Sequence, residues 1–332
     1  MRDELKTALL AGTFVFAVGA FTLGLRTKTQ PAAPTTITVE AVPVVDPEEA
    51  AKKAEEERRR KMLEMEKQQV EIKRRFANEA LQKFKNDHGG ELPEQITLNT
   101  PLMVPGAWGT DKMERLKSTP VHVDLKKGEL SFDGCWVRGV AEVDPQAEKR
   151  RVATGIVEML IARPPLPNSK AHETMIQTEV NPYDVWLGLL LLGLKPGSST
   201  GREGVPEGDS VDIILQFVDD KGRTHSHHAE EFIFNTTKGR PLDRMGWIFT
   251  AAWVYKDRKT GEWVQGVREC GAVATVFHFP FGVLLDTPGR RFDIDDDFVY
   301  NNNLLPTLGS RARVVMRRHV EDEREKGDER NR

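Results

Sequence analysis

The sequence predicts an α+β domain of mostly antiparallel sheet with one buried helix, preceded by an N-terminal membrane anchor and a long charged helix. Three observations carry that expectation. Beyond residue 91, strand-like apolar runs bounded by turn residues outnumber helical patterns. One segment, Pro182 to Leu192, is apolar on nearly all faces yet too short to span a bilayer, so it belongs to a core. Charge is concentrated between Pro47 and Asp87, in a run free of Gly and Pro.

Composition sets the outer bounds. At 332 residues, 39% hydrophobic and 30% charged, the chain has room for one large domain with accessory segments. A net charge of −3, mixed in sign, offers no basic surface, so no nucleic-acid partner is expected. Two cysteines, Cys135 and Cys270, are too few for an iron–sulfur cluster or a four-cysteine zinc site. They are candidates for one disulfide if the domain is extracytoplasmic, and two separate thiols otherwise.

Residues 1–28 read as the anchor. No charge falls between Thr7 and Leu25, and about 19 residues just cross a hydrocarbon core. A cleaved signal with its site at Val18-Gly19-Ala20 is the alternative, but apolar Phe21, Leu23 and Leu25 follow it without a polar exit region. Flanking charges balance, Arg2 and Lys6 against Arg26 and Lys28, and leave orientation open. The short N-terminus and bulky remainder suit a single-pass membrane protein with its domain on the extracytoplasmic side. Residues 29–46, with Pro31, Pro34 and Pro43, form an extended linker.

Asp46-Pro47-Glu48-Glu49 is a helix start, with a cap, proline in the first turn and acids where the helix dipole favours them. It opens a charged helical stalk over 47–88. Met62, Met65, Ile72, Phe76, Ala80 and Phe84 recur at spacings of three and four, with Gln69 interrupting. That seam fits a coiled-coil homodimer, or equally a monomeric helix whose last turns pack on the domain. The domain itself spans 91–320, and 321–332 is a charged, disordered tail.

Within the domain, Val121–Leu125 and Leu130–Phe132 flank a Gly-containing turn and read as a hairpin. Val211–Val218 and the residues after Asp219-Asp220-Lys221-Gly222 form a second. Val152–Ala162, Trp247–Tyr255, Trp263–Arg268, Ala272–Phe279 and Ala312–Met316 are further strands. Asn181 caps the buried helix, Pro182 suits its first position, and Gly193 with Pro196-Gly197 ends it.

His172-Glu173-Thr174, followed by Leu189-Leu190-Leu191-Leu192-Gly193-Leu194-Lys195-Pro196-Gly197, resembles the signature of the YdjY-domain family of exported or membrane-anchored bacterial proteins. Trp247-Ile248-Phe249, Phe279-Pro280, Leu285-Asp286-Thr287-Pro288, Asn301-Asn302-Asn303 and Leu305-Pro306 follow in the family's order. Similarity runs from about Thr119 to Met316. The resemblance implies no particular reaction. A ferredoxin-like label applied to some members is argued against by the missing cysteines, and Ala162 and Arg163 stand where relatives place one.

His172 and Glu173 are candidate ligand-binding residues at the head of a strand, although adjacent strand positions face opposite ways. His225 and His227 share a strand face and are candidate zinc ligands, with a third needed from His172 or His278. Asp293, Asp295 and Asp297 form an oxygen-rich loop that departs from the EF-hand pattern. No nucleophile elbow and no P-loop is present. The expected role is therefore a membrane-anchored envelope protein that acts as a structural or binding module, the alternative being an envelope metal-binding protein or metalloenzyme.

Overall fold

Alternating burial along short segments builds the sheet. In Gln95–Leu98 and Val121–Asp124 every second residue is inside, the period of a half-buried strand. The computed structural model describes residues 47–105, 113–137, 155–163, 173–199, 205–278, 283–288 and 298–320, and Lys52–Arg332 forms one compact unit. Two α-helices occur among the described residues, α1 (Pro47–Asp87) and α2 (Pro182–Leu191). The main sheet has 11 strands. These are β1 (Gln95–Leu98), β2 (Val121–Asp124), β3 (Glu129–Trp136), β4 (Met159–Ala162), β5 (Thr174–Gln177), β6 (Ser210–Val218), β7 (Thr224–His228), β8 (Trp247–Phe249), β9 (Ala272–Thr275), β10 (Leu285–Asp286) and β11 (Arg311–Arg318).

Eight of them close on themselves. Pairing runs β3–β11–β6–β8–β10–β9–β4–β5, and β5 pairs back onto β3 through Cys135 against Gln177 and Trp136 against Ile176. The fold is thus a mostly-strand β-barrel, which corrects the expected α+β layout of mostly antiparallel sheet with one buried helix, in which no barrel was foreseen. Two of the contacts around the ring, β9–β10 and β4–β5, are parallel. Closure depends on Gly134. A Cβ there would lie 2.7 Å from Ile176 Cγ2 and 3.0 Å from the Gln177 carbonyl oxygen, so a side chain would hold β5 off β3. Strands β1 and β2 continue from β3 as a flange, and β7 pairs only with β6.

Helix α2 covers this flange. Gly188 brings its backbone so near that a Cβ would sit 3.0 Å from Leu130 and 3.2 Å from Val123. Its ends form as predicted. Asn181 accepts a bond from Tyr183 N at 3.0 Å. Gly193, at φ 79°, lets Leu194 N reach the Leu189 carbonyl at 3.1 Å and Gly193 N reach Leu190 at 2.9 Å, the paired bonds of a Schellman stop. Leu189, Trp186 and Val185 join Trp136, Phe132, Ile161, Met175, Trp247 and Val314 in one core. An eight-stranded barrel is about wide enough for side chains to fill it.

Other expectations shift. Val152–Ala162 contributes only β4, with residues 138–154 outside the described set. Trp247–Tyr255 is not one strand: it breaks after Phe249, where Ala251 and Ala252 take φ of 61° and 57°. The apolar segment behind the anchor, residues 1–28, the linker 29–46 and the tail 321–332 lie outside the described residues. Among the described residues no helix is long and apolar enough to cross a membrane. The single-pass, membrane-anchored assignment is corrected to that extent: no described helix supports it. Homodimerisation through a coiled-coil stalk is corrected as well. Ala77, Ala80, Leu81 and Phe84 of α1 pack on the domain core and Ile72 is buried, so the chain's own domain covers the second half of the seam, while Met62 and Met65 at its start stay exposed.

Candidate functional site

The docked face of α1 carries one residue that an apolar stripe does not ordinarily admit. Ile72, Lys73 and Ala77 are buried, followed by half-buried Phe76, Ala80, Leu81 and Phe84. Lys73 therefore points at the barrel, and only 3% of it is exposed. Burying an amine costs several kcal/mol unless it finds acceptors, on the order of the penalty for any unpaired polar group or more. Lys73 finds two. Its Nζ donates to the Thr250 carbonyl at 2.8 Å and to the Gly197 carbonyl at 3.3 Å. Burial drives its pKa down to about 7, against a smaller upward pull from the Asp286 carboxylate.

Both carbonyls are held by backbone built for the purpose. Gly197 N donates to the Phe249 carbonyl at 2.9 Å. A Cβ on Gly197 would lie 1.9 Å from the Glu207 carbonyl oxygen, so only glycine fits. At Thr250, the hydroxyl donates to the Val283 carbonyl at 2.7 Å and the amide to Leu284 at 3.1 Å. The two alanines after it sit in left-handed backbone, which costs about 1–3 kcal/mol each. They are held by bonds from Ala251 N to Leu284 O at 3.1 Å and from Ala252 N to Val283 O at 2.8 Å. This bend ends β8 and leaves the Thr250 carbonyl to Lys73.

Asp286 completes the cluster. It is fully buried on β10, its Oδ1 accepting from Thr287 N at 2.9 Å and lying 3.1 Å from His278 Nδ1. His278 is fully buried too. Asp286 Oδ2 and Thr287 Oγ1 have no hydrogen-bond partner. An amine, a carboxylate and an imidazole are thus enclosed together, among backbone acceptors.

The residues predicted as sites fare differently. His172 lies outside the described residues. Glu173 forms a single turn before β5, and its carbonyl accepts from Glu158 N at 3.1 Å. His225 and His227 share a face of β7, as their spacing predicts, with rings 6.1 Å apart and 12° from parallel. Each imidazole is tied to its own carboxylate, His225 Nε2 to Asp219 Oδ2 and His227 Nδ1 to Glu231 Oε2, both at 3.0 Å. The bond to His225, with further bonds from Arg223, holds the Asp219 carboxyl well below the usual carboxylate range. His278, named as a third zinc ligand, sits against Asp286. Among the described residues no group of three or more His, Cys, Asp or Glu is placed to hold a metal. Asp293, Asp295 and Asp297 lie outside the described residues.

Neither Cys135 nor Cys270 is in a disulfide. Cys135 is half-buried beside a groove of about 340 Å³ at the β3–β5 seam, lined also by Thr119, Asp133, Gln177 and Glu179. Cys270 is buried, with Sγ 2.8 Å from the Ala272 carbonyl, and burial pushes its thiol up to about 11. Sequence reasoning missed Lys73, Thr250 and Asp286. The available signal was that Lys73 adjoins Ile72 and precedes Ala77 by four, which puts it on the apolar stripe.

Comparison with known proteins gives one match. A family model described as the YdjY domain covers residues 121–317. No curated protein and no solved structure matches the chain.

Proposed function

The chain belongs to the YdjY-domain family, and we propose that its barrel works as a binding module, for which α1 is the ligand bound in cis. One observation carries this reading. The Lys73 amine bridges the carbonyls of Gly197, which ends one signature segment, and Thr250, which directly follows another, both inside the matched region, whereas α1 precedes that region. The acceptors are fixed by bonds in which α1 takes no part, since their own backbone bonds run to Phe249, Val283 and Leu284. Preorganised acceptors with a separately supplied donor are the arrangement of a receptor and its ligand.

Limited trypsin digestion tests it. Lys73→Met keeps the aliphatic stem and leaves the Gly197 and Thr250 carbonyls without their donor, a loss of about 1–3 kcal/mol for buried acceptors left unsatisfied. Cleavage after Arg74, Arg75 and Lys83 should accelerate about tenfold or more in this variant, while sites in β11 keep their rate. Unchanged cleavage in α1 would overturn the binding reading.

A further inference from the structure

We infer that the pocket beneath α1, formed by the carbonyls of Gly197 and Thr250 with the Asp286 carboxylate behind them, is a receptor for a primary alkylamine, and that Lys73 fills it in this chain. The inference rests on the reading of α1 as a ligand of the barrel and goes further by naming what is recognised.

The chemistry of the lining selects the ligand. The groups that face Lys73 are acceptors, two backbone carbonyls and a carboxylate, so the complementary group is rich in N–H donors. A primary amine offers two or three such donors on one small atom at the end of a slender stem. A guanidinium is a planar fork and needs acceptors spread in its own plane. A calcium ion needs six to eight oxygens around it, and this lining supplies fewer.

The receptor is also built independently of its occupant. Gly197, Thr250 and Asp286 all fall within residues 121–317, and Lys73 lies outside. The turn at Ala251 and Ala252 keeps its left-handed backbone through bonds to Val283 and Leu284, with no contribution from α1. A third feature points to a ligand beyond Lys73. Asp286 is fully buried, yet its Oδ2 has no partner, and neither has Thr287 Oγ1 beside it. The tethered amine leaves these acceptors unused.

The experiment is chemical rescue in the full chain. Lys73→Ala removes stem and nitrogen and opens a slot for a small amine, whereas Lys73→Met leaves the slot filled by a stem. Thermal unfolding is followed in ethylammonium chloride and in equimolar tetramethylammonium chloride, a cation without N–H donors. Ethylammonium should raise the Lys73→Ala midpoint by several degrees in a saturable way, as expected when a ligand binds only the folded state. It should leave the wild type and Lys73→Met within the tetramethylammonium baseline. Should Lys73→Ala not fold in plain buffer, the folded yield after refolding in each salt gives the same reading. Equal effects of the two salts on Lys73→Ala would overturn the amine receptor. If α1 in Lys73→Met is still cleaved faster, α1 remains the barrel's ligand and only its chemical class is wrong.

Discussion

The side-chain nitrogen of Lys73 lies 2.8 Å from the carbonyl oxygen of Thr250, 177 residues further along the chain. That contact fastens a charged helix to a barrel that closes without it. It also converts a lysine, among many on α1, into the residue on which the helix depends.

The first prediction concerns pH. Burial lowers Lys73 from 10.5 to about 7 in the folded protein, where Asp286 and His278 are the ionisable groups in its cluster. Between pH 7 and 10.5 the unfolded chain holds a proton that the folded chain has released, so stability rises with pH across this window. The slope reaches about 1.4 kcal/mol per pH unit at most. Below pH 7 both states are protonated and Lys73 contributes no slope. Urea denaturation of the wild type and Lys73→Met at several pH values isolates the effect: the difference in stability should widen from pH 7 towards pH 10. A constant difference would contradict the burial of this amine.

Gly197→Ala should be among the more damaging single-methyl additions in the chain. Its Cβ would lie 1.9 Å from the Glu207 carbonyl oxygen, a backbone atom that cannot swing aside. Overpacking of this kind costs on the order of 1–3 kcal/mol or more. The denaturation midpoint should fall, and because the Gly197 carbonyl must move, α1 should become easier to cleave. Gly222→Ala, in a surface turn with open space but left-handed backbone at φ 75°, is the comparison that carries backbone strain without overpacking and should leave α1 cleavage unchanged.

In the core, Leu189→Ala on α2 should destabilise by about 2–5 kcal/mol, the range for truncating a buried leucine. Leu189 is fully buried in the cluster that joins α2 to the barrel. Calorimetry on the full chain measures it, and a loss below about 1 kcal/mol would mean that α2 is not held in the core.

The thiols should differ. Cys135 is half-buried and Cys270 fully so, with its thiol pushed up to about 11. Since the thiolate is the reactive form, iodoacetamide should add one group to the native chain and a second only in denaturant. Two cysteines that stay unlabelled in denaturant until a reductant is added would instead reveal a disulfide.

What the sequence makes legible is local. Asn181, Gly193 and the run between them specify α2 with its caps, and the Gly-containing turn after Asp124 specifies the β2–β3 hairpin. Barrel closure is different in kind. It rests on Cys135 meeting Gln177 across the seam, and the missing Cβ of Gly134 that permits it looks like any other strand glycine. The strand expected over Trp247–Tyr255 has good β-formers on either side of Ala251 and Ala252, yet it turns at these two, where bonds to Leu284 and Val283 decide the path. The site was hidden for the same reason. Thr250 and Asp286 lie in or beside the signature segments, but only tertiary structure shows that both face an amine from α1. Among so many lysines and arginines, Lys73 is marked only by its place on an apolar stripe.

Amide hydrogen exchange across Ile72–Phe84 tests most directly whether Lys73 holds α1 on the barrel. In the wild type these amides should be protected well beyond those of the exposed turns before Met62. In Lys73→Met their protection should fall about tenfold or more, while β3 and β11 keep theirs. Equal protection of α1 in the two proteins would contradict the central claim and leave Lys73 a buried amine without a role in holding the helix.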